Sequence, residues 1–271
     1  MKYKISHSIE YLNINLTDET ELFSFFTTRS KGVSTGEYSS LNLGNTSDDD
    51  PDHVYQNREE LCNMMSIDID NLIIPRQTHS SNVFIVDQSF LSLSKEERLR
   101  QLSDTDALIT NVPEVCIGVT TADCVPVLIY DPIKRVFAAI HAGWKGTVAH
   151  IAAKTIEKMQ HEFCCDPSLM VAAIGPSISV EKFEVGDEVA EIFESEGYDM
   201  NTISYRNPST DKAHIDLWKA NSIQLVEAGI NTKNIKIAGI CTYSNPDRFF
   251  SARRQTIHSG RMLGGGFIRK K

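Results

Sequence analysis

The stretch TTADCVPVLIYDPIKRVFAAIHAGWKGT, residues 120–147, constrains the fold more than any other part of the chain. Two β-rich apolar runs, VPVLIYD and RVFAAIH, flank Asp131-Pro132-Ile133-Lys134, whose Asp and Pro suit the first positions of a turn, so the segment reads as a β-hairpin. A hairpin centred between Pro132 and Ile133 pairs residues whose numbers add to 265. On that register Tyr130 faces Arg135, and Cys124 lies opposite His141 with Cβ atoms about 5 Å apart, near enough to share one ion or exchange one proton. Both sit where the apolar pattern gives way to small or polar residues, as expected at an open sheet end. Asp123 adjoins the thiol, and Gly143 and Gly146 let backbone approach a ligand closely.

The neighbouring runs extend the sheet. DALIT and VCIGVTT precede the hairpin, so Asp106 to His141 reads as four strands in succession, mostly antiparallel. Phe23 to Thr28, Val83 to Val86, LMVAAIG and IKIAGI are further strands. Val54, Leu61, Cys62 and Met65 share one face of a helix following Pro51, and Val148, Ile151, Ala152, Ile156, Met159 and Phe163 share a face of a helix capped by Thr147. Two more helices are expected, from about Gly186 to Glu196 with Gly197 as the stop, and from about Asp216 to Ala228 with Trp218 and Leu225 inward and Gly229 as the stop. The class is therefore α+β, with mixed, largely antiparallel sheets covered by helices. Without repeats or a composition break beyond the acidic turn NTSDDDPDH, residues 1–271 are expected to form a single domain.

Composition narrows the partners. A net charge of −9 and the absence of a basic stripe disfavour nucleic acid, since Arg253-Arg254 and Lys270-Lys271 are too short to serve. No apolar run approaches the roughly 20 residues of a membrane helix, and the opening residues have no signal-peptide core, so a cytoplasmic protein without a membrane partner is expected. Six cysteines without a CxxC pair read as thiols. Cys62, Cys116, Cys164 and Cys165 suit packing or helix ends, and Cys241 sits at a strand end.

Three residues are candidates for chemistry: Cys124, His141, and His79 in IPRQTHSSN. Two imidazoles and a thiolate with a fourth position open match a catalytic zinc site. A Cys nucleophile activated by His141, with backbone amides of 142–145 stabilising an oxyanion, fits the same residues without metal. Spacing does not separate the two, and His79 alone reads more readily as a loop residue, its value depending on the other two.

RQTHSSNV, TADCVPVLIYD, AAIHAGWKGT, AIGPSIS with FEVG, CTYSNPDRFFSARR with GRMLGGGFI, and TTRSKGVSTGEYSSLNLG together resemble the laccase-domain (polyphenol oxidase) family, described as multifunctional purine nucleoside phosphorylases. The resemblance implies a zinc enzyme that cleaves adenosine, inosine and methylthioadenosine with phosphate and also deaminates adenosine. It implies His79, Cys124 and His141 as metal ligands. Multicopper oxidation of the plant or fungal kind needs paired HxH motifs, and none occurs among the eight histidines. A single copper in place of zinc, and with it phenol oxidation, stays open. On this reading Asp123 is a proton shuttle, Arg76 with Arg29 or Arg261 takes the phosphate, Gln77 and Asn42 contact substrate, with Asn42 equally suited to holding a turn, and Trp144 stacks on the purine or anchors the core. A monomer or homodimer is expected.

Overall fold

Strand Val125–Asp131 is buried along its whole length, which demands cover on both faces and explains why it reads as a continuous apolar run. The structure, a computed structural model, describes residues 1–44, 47–256 and 258–270. Asn45 and Thr46 of the acidic turn and Lys271 of the terminal lysine pair lie outside the described residues.

The first sheet has six strands, in the order Ile235–Ile237, Val171–Ile174, Val125–Asp131, Val136–Ala142, Ala107–Thr110, Val83–Ile85. Its two outermost pairings are parallel and the rest antiparallel. The second sheet runs Lys2–Ser6, Ile9–Asn13, Leu22–Thr27, Met262–Ile268, Cys116–Thr121, Leu72–Ile73, and only its last pairing is parallel. The four runs between Asp106 and His141 are thus divided, with VCIGVTT crossing to the second sheet.

Alternation of side chains decides the layering. Leu128, Tyr130, Phe137 and Ala139 of the first sheet pack against Phe26 and Val119 of the second. Their neighbours Val127, Ile129, Ala138 and Ile140 point the other way, into a cluster with Ile156 and Met159 of helix Ile151–Phe163 and Leu225 of helix Leu217–Glu227. On the far face of the second sheet, Phe25 and Leu263 meet Leu61, Cys62 and Met65 of helix Pro51–Met65. Helix, sheet, sheet and helix therefore form four layers, each buried large apolar side chain contributing about 1.5–3 kcal/mol. A small sheet of Glu184–Val185, Ala213–Ile215 and Ser204–Arg206 completes the α+β architecture. No helix among the described residues is long and apolar enough to cross a membrane.

Two local expectations are corrected. The hairpin pairs Tyr130 with Phe137 and Pro126 with His141, so partner numbers add to 267, not 265. Asp131 Oδ1 accepts from the N–H groups of Ile133 and Lys134, both at 2.9 Å, and Arg135 takes a left-handed φ of 53°, which makes a four-residue loop. The slip is an even number of residues along one strand, so every side chain keeps its face. The register brings Gly143, not His141, opposite Cys124. Second, Thr147 does not cap a helix: Gly143 starts a short helix, Trp144–Val148, and His150, with φ 56°, separates it from Ile151–Phe163. Thr147 lies inside the short helix, where its carbonyl accepts from Tyr198 Oη at 2.8 Å and Gln224 Nε2 at 2.7 Å.

Candidate metal centre

His141 stands near the end of strand Val136–Ala142, and Cys124 directly precedes strand Val125–Asp131. Asp123 adopts a left-handed φ of 86°, making a corner between strand Cys116–Thr121 of one sheet and Val125–Asp131 of the other. His79, with φ 65°, comes from the loop between Leu72–Ile73 and Val83–Ile85. The structure brings the three together: one ligand atom from each lies within 4.8 Å of the other two. Cys124 Sγ is 3.7 Å from His79 Nε2, and the two rings meet edge to face with centroids 4.9 Å apart.

This donor set fits a metal ion. Ligands on a tetrahedral zinc are separated by about 3.3–3.8 Å, the spacing of Sγ and Nε2 here. A Cβ at position 143 would lie 2.8 Å from His79 Cδ2 and 3.2 Å from Cys124 Sγ, so glycine there leaves the space in which ring and thiol approach. His141 is buried, Cys124 half-buried and His79 exposed, which opens the cluster to solvent on the His79 side.

Electrostatics prepare the thiol. Burial alone would raise the Cys124 pKa, but the charge and hydrogen bonds of His141, with those of His79, outweigh it and lower it to about 6. Burial opposes charge on His141 as well; the Cys124 thiolate and Asp106 carboxylate overcome it and raise that pKa to about 9.

Asp106 is the functional residue that sequence reasoning missed. It is fully buried, and Oδ1 lies 2.7 Å from His141 Nδ1. That bond directs the other ring nitrogen toward the cluster. The same carboxylate accepts from the backbone N–H groups of Thr78 at 3.1 Å, His79 at 3.1 Å and Ser80 at 2.8 Å, and from Ser80 Oγ at 2.8 Å. One side chain therefore fixes both imidazoles, one through its ring and one through its backbone. Only the pairing of strands reveals it: because Ala107 pairs with Ile140, the acid opening DALIT falls beside His141.

Several expected substrate contacts are differently employed. Asp123 is buried with both carboxylate oxygens engaged, by Thr242 Oγ1 at 2.6 Å, Ser251 Oγ at 2.9 Å and the Arg253 N–H at 2.7 Å, so it ties distant segments to the Cys124 corner instead of offering a free proton shuttle. Gln77 is spent on Thr120, donating to its carbonyl at 2.8 Å and accepting from its N–H at 2.8 Å. Asn42 is fully buried; it donates to Ser47 and Asp49 and accepts from the N–H groups of Gly44 and Arg261, the turn-holding role. Arg29 donates to the carbonyls of Ser39 and Pro246 and lies 4.4 Å over the Phe250 ring. Arg76 is exposed in the His79 loop, and its guanidinium has no protein partner among the described residues. Arg261 is anchored on Ser259 and Gly260 within electrostatic reach of Cys124 and Asp123. Trp144 packs, partly buried, against the outer core cluster. Cys62, Cys116, Cys165 and Cys241 are buried free thiols, and Cys164 is an exposed helix-end residue.

Comparison with known proteins places this geometry in a lineage. The chain is 45% identical over 256 residues, 94% of its own length and 95% of the other's, to a purine nucleoside phosphorylase of Bacteroides thetaiotaomicron. It is 42% identical to adenosine deaminase RL5 from an unknown prokaryotic organism, covering 89% of this chain and 92% of that one. The crystal structure of YlmD from Geobacillus stearothermophilus superposes with a TM-score of 0.86 at 28% identity, covering 92% of this chain and 93% of the other. Residues 23–269 match the family described as multi-copper polyphenol oxidoreductase laccase, and to that family the chain belongs.

Proposed function

We propose that the chain, acting as one domain over residues 1–271, is a zinc-dependent purine nucleoside phosphorylase that also deaminates adenosine. Adenosine, inosine and S-methyl-5'-thioadenosine are its substrates. In phosphorolysis the bond from C1' to the base breaks as a phosphate oxygen bonds C1', giving free base and (methylthio)ribose 1-phosphate. In deamination water replaces the amino group at purine C6 and ammonia leaves. The observation that carries this reading is the convergence of His79, Cys124 and His141 in a chain so close, over nearly its whole length, to proteins named for the two activities.

The three residues are assigned as the zinc ligands. Bound there, zinc supplies a Lewis acid that lowers the pKa of water. The chain's own residues do the rest. Asp106 keeps His141 in one tautomer and holds the His79 loop, and Arg76 and Arg261 are the groups suited to phosphate, since a guanidinium matches its geometry. Arg29, bound to two carbonyls, stacks on Phe250, the ring that packs against Gly260 beside Arg261, and so positions that segment. We take the protein to act in the cytoplasm, as a monomer or homodimer, without nucleic acid.

Purified protein incubated with adenosine, with and without phosphate, tests the reading by resolving adenine, inosine and hypoxanthine. Phosphate-dependent adenine release is expected, and its absence from fully metal-loaded protein would refute the phosphorolytic assignment. Copper suits the same donors, so metal analysis of untreated protein separates phosphorolysis on zinc from a copper phenol oxidase. A second reading, a Cys-His hydrolase or deamidase without metal, draws on the lowered Cys124 and raised His141 pKa values. Activity that survives complete chelation but not thiol alkylation would favour it.

A further inference from the structure

Helix Pro51–Met65, the edge strand Leu72–Ile73 and the short helix Lys95–Gln101 contribute residues to a cavity of about 300 Å³ that shares none of its lining with the metal centre. Its size sits at the lower end of the range for small-molecule sites, about 300–1,000 Å³. Ile73, Ile74 and Leu102 supply buried apolar surface, while Tyr55 and Leu99 stand exposed at the rim. Arg58, Lys95 and Arg98 line it against a single acid, Asp70, in a chain whose net charge is −9. A basic cavity in an acidic protein calls for an explanation.

Arg58 supplies it. The Arg58 side chain is half-buried, and its guanidinium uses Nε, at 3.2 Å, and Nη2, at 2.6 Å, on the carbonyl of Leu43. Nη1 has no protein acceptor, and no carboxylate lies within ion-pair distance, among the described residues. The Cys62 thiol, which could offset its charge, is kept protonated by burial, which raises the thiol pKa to about 12. Arg98 is likewise held by neutral carbonyls, those of Leu91, Leu93 and Asp70. Carbonyls orient a guanidinium without cancelling its charge, so two half-buried cations beside an apolar surface are left able to take an anion. An oriented, unneutralised guanidinium at the edge of an apolar cavity is suited to an anionic headgroup.

We propose that this cavity is a second binding site, for a small organic anion with an apolar body, whose carboxylate or phosphate sits on the free edge of Arg58 and whose body lies on Ile73, Ile74 and Leu102. The proposal is independent of the phosphorolytic reading, because the two sites have no residue in common. Calorimetric titration of the metal-loaded chain with hexanoate and with hexyl phosphate tests it, and the tighter of the two identifies the headgroup. Hexanol and inorganic phosphate, each carrying one half of the chemistry, are the controls.

At least one amphiphile is expected to bind saturably at one per chain, about fivefold or more tighter than either control. Arg58→Met should weaken it about tenfold or more, the loss of one charge-assisted bidentate contact. Leu99→Asp, which adds a negative charge at the exposed rim and leaves the Leu43 anchor intact, should weaken it about threefold or more with unchanged metal content. Failure of both amphiphiles to saturate, a control binding as tightly as they do, or affinity within about twofold of wild type in both variants would overturn the proposal.

Discussion

Strand Cys116–Thr121 begins at one thiol and ends three residues short of another, and the two thiols behave in opposite ways. Cys116, with Cys62 beside it, faces an apolar cluster of Phe25, Leu61 and Leu263, and its Sγ rests 4.0 Å from the Met65 sulfur. Burial raises the pKa of Cys62 to about 12 and that of Cys116 well above its ordinary value. Burial opposes ionisation of Cys124 too, yet two imidazoles reverse the outcome. Desolvation is common to both ends of the strand; the partners decide whether a buried sulfur is a packing atom or a ligand.

The largest effect expected separates the two ends outright. Cys124→Ala or His141→Ala should reduce metal content from one per chain to near zero and turnover by about a hundredfold or more, with the fold retained. Cys116→Ala should leave metal and turnover unchanged while costing about 1 kcal/mol of stability for the lost sulfur. Metal at full stoichiometry in the Cys124 and His141 variants would break the contrast.

Next in size is Asp106. Asp106→Asn should weaken metal binding about 10–100-fold, measured by competition with a chromophoric chelator. The same substitution checks a pH effect. Although burial resists ionisation, hydrogen bonds from His141, Thr78 and Ser80 bring the Asp106 pKa down to about 2. A carboxyl whose folded pKa lies below its unfolded value stabilises the fold fully above about pH 4 and loses that contribution as pH falls through about 2, which amounts to about 2 kcal/mol. Denaturant melts of metal-free protein should show that acid slope in wild type and a flatter one in Asp106→Asn.

A chemical contrast follows. In metal-free protein Cys124 should react with iodoacetamide with a midpoint near pH 6, whereas Cys62 and Cys116 should stay unlabelled at pH 8 until the chain unfolds. Peptide mapping by mass spectrometry reads this directly. Smallest of all, Gly143→Ala should leave thiol reactivity nearly unchanged but weaken metal binding by about three- to tenfold, since its Cβ meets the His79 ring at 2.8 Å.

What could be seen in the chain beforehand has a physical pattern. VPVLIYD and RVFAAIH were legible because strands covered on both faces carry no polar interruptions, and the helix after Pro51 because Val54, Leu61, Cys62 and Met65 all turn inward, as found. The three residues of the cluster stood out by type and by their position at sheet margins. Their contact did not follow from the register as first drawn. Arg135 in a left-handed conformation lengthens the loop, and nothing in a non-glycine residue announces that. Asp106 was hidden because an acid before a strand usually belongs to a turn, and its importance comes from a pairing between strands far apart in the chain. Gln77, Asn42 and Arg29 look like substrate contacts by chemical type alone. The structure engages their polar atoms with groups mostly distant in the chain, Thr120 for Gln77, Arg261 for Asn42 and Pro246 for Arg29, which motif reading does not register.

Met262–Ile268 lies in the interior of the second sheet, between strands that precede it by more than a hundred residues, and Asp123 is held by Thr242, Ser251 and Arg253. A ribosome must therefore deliver the chain through about residue 268 before that sheet closes and the cysteine corner locks. Nascent chains stalled ahead of residue 242 are expected to remain protease-sensitive and unable to hold a metal ion at His79, Cys124 and His141, so metal capture should follow the synthesis of Met262–Ile268.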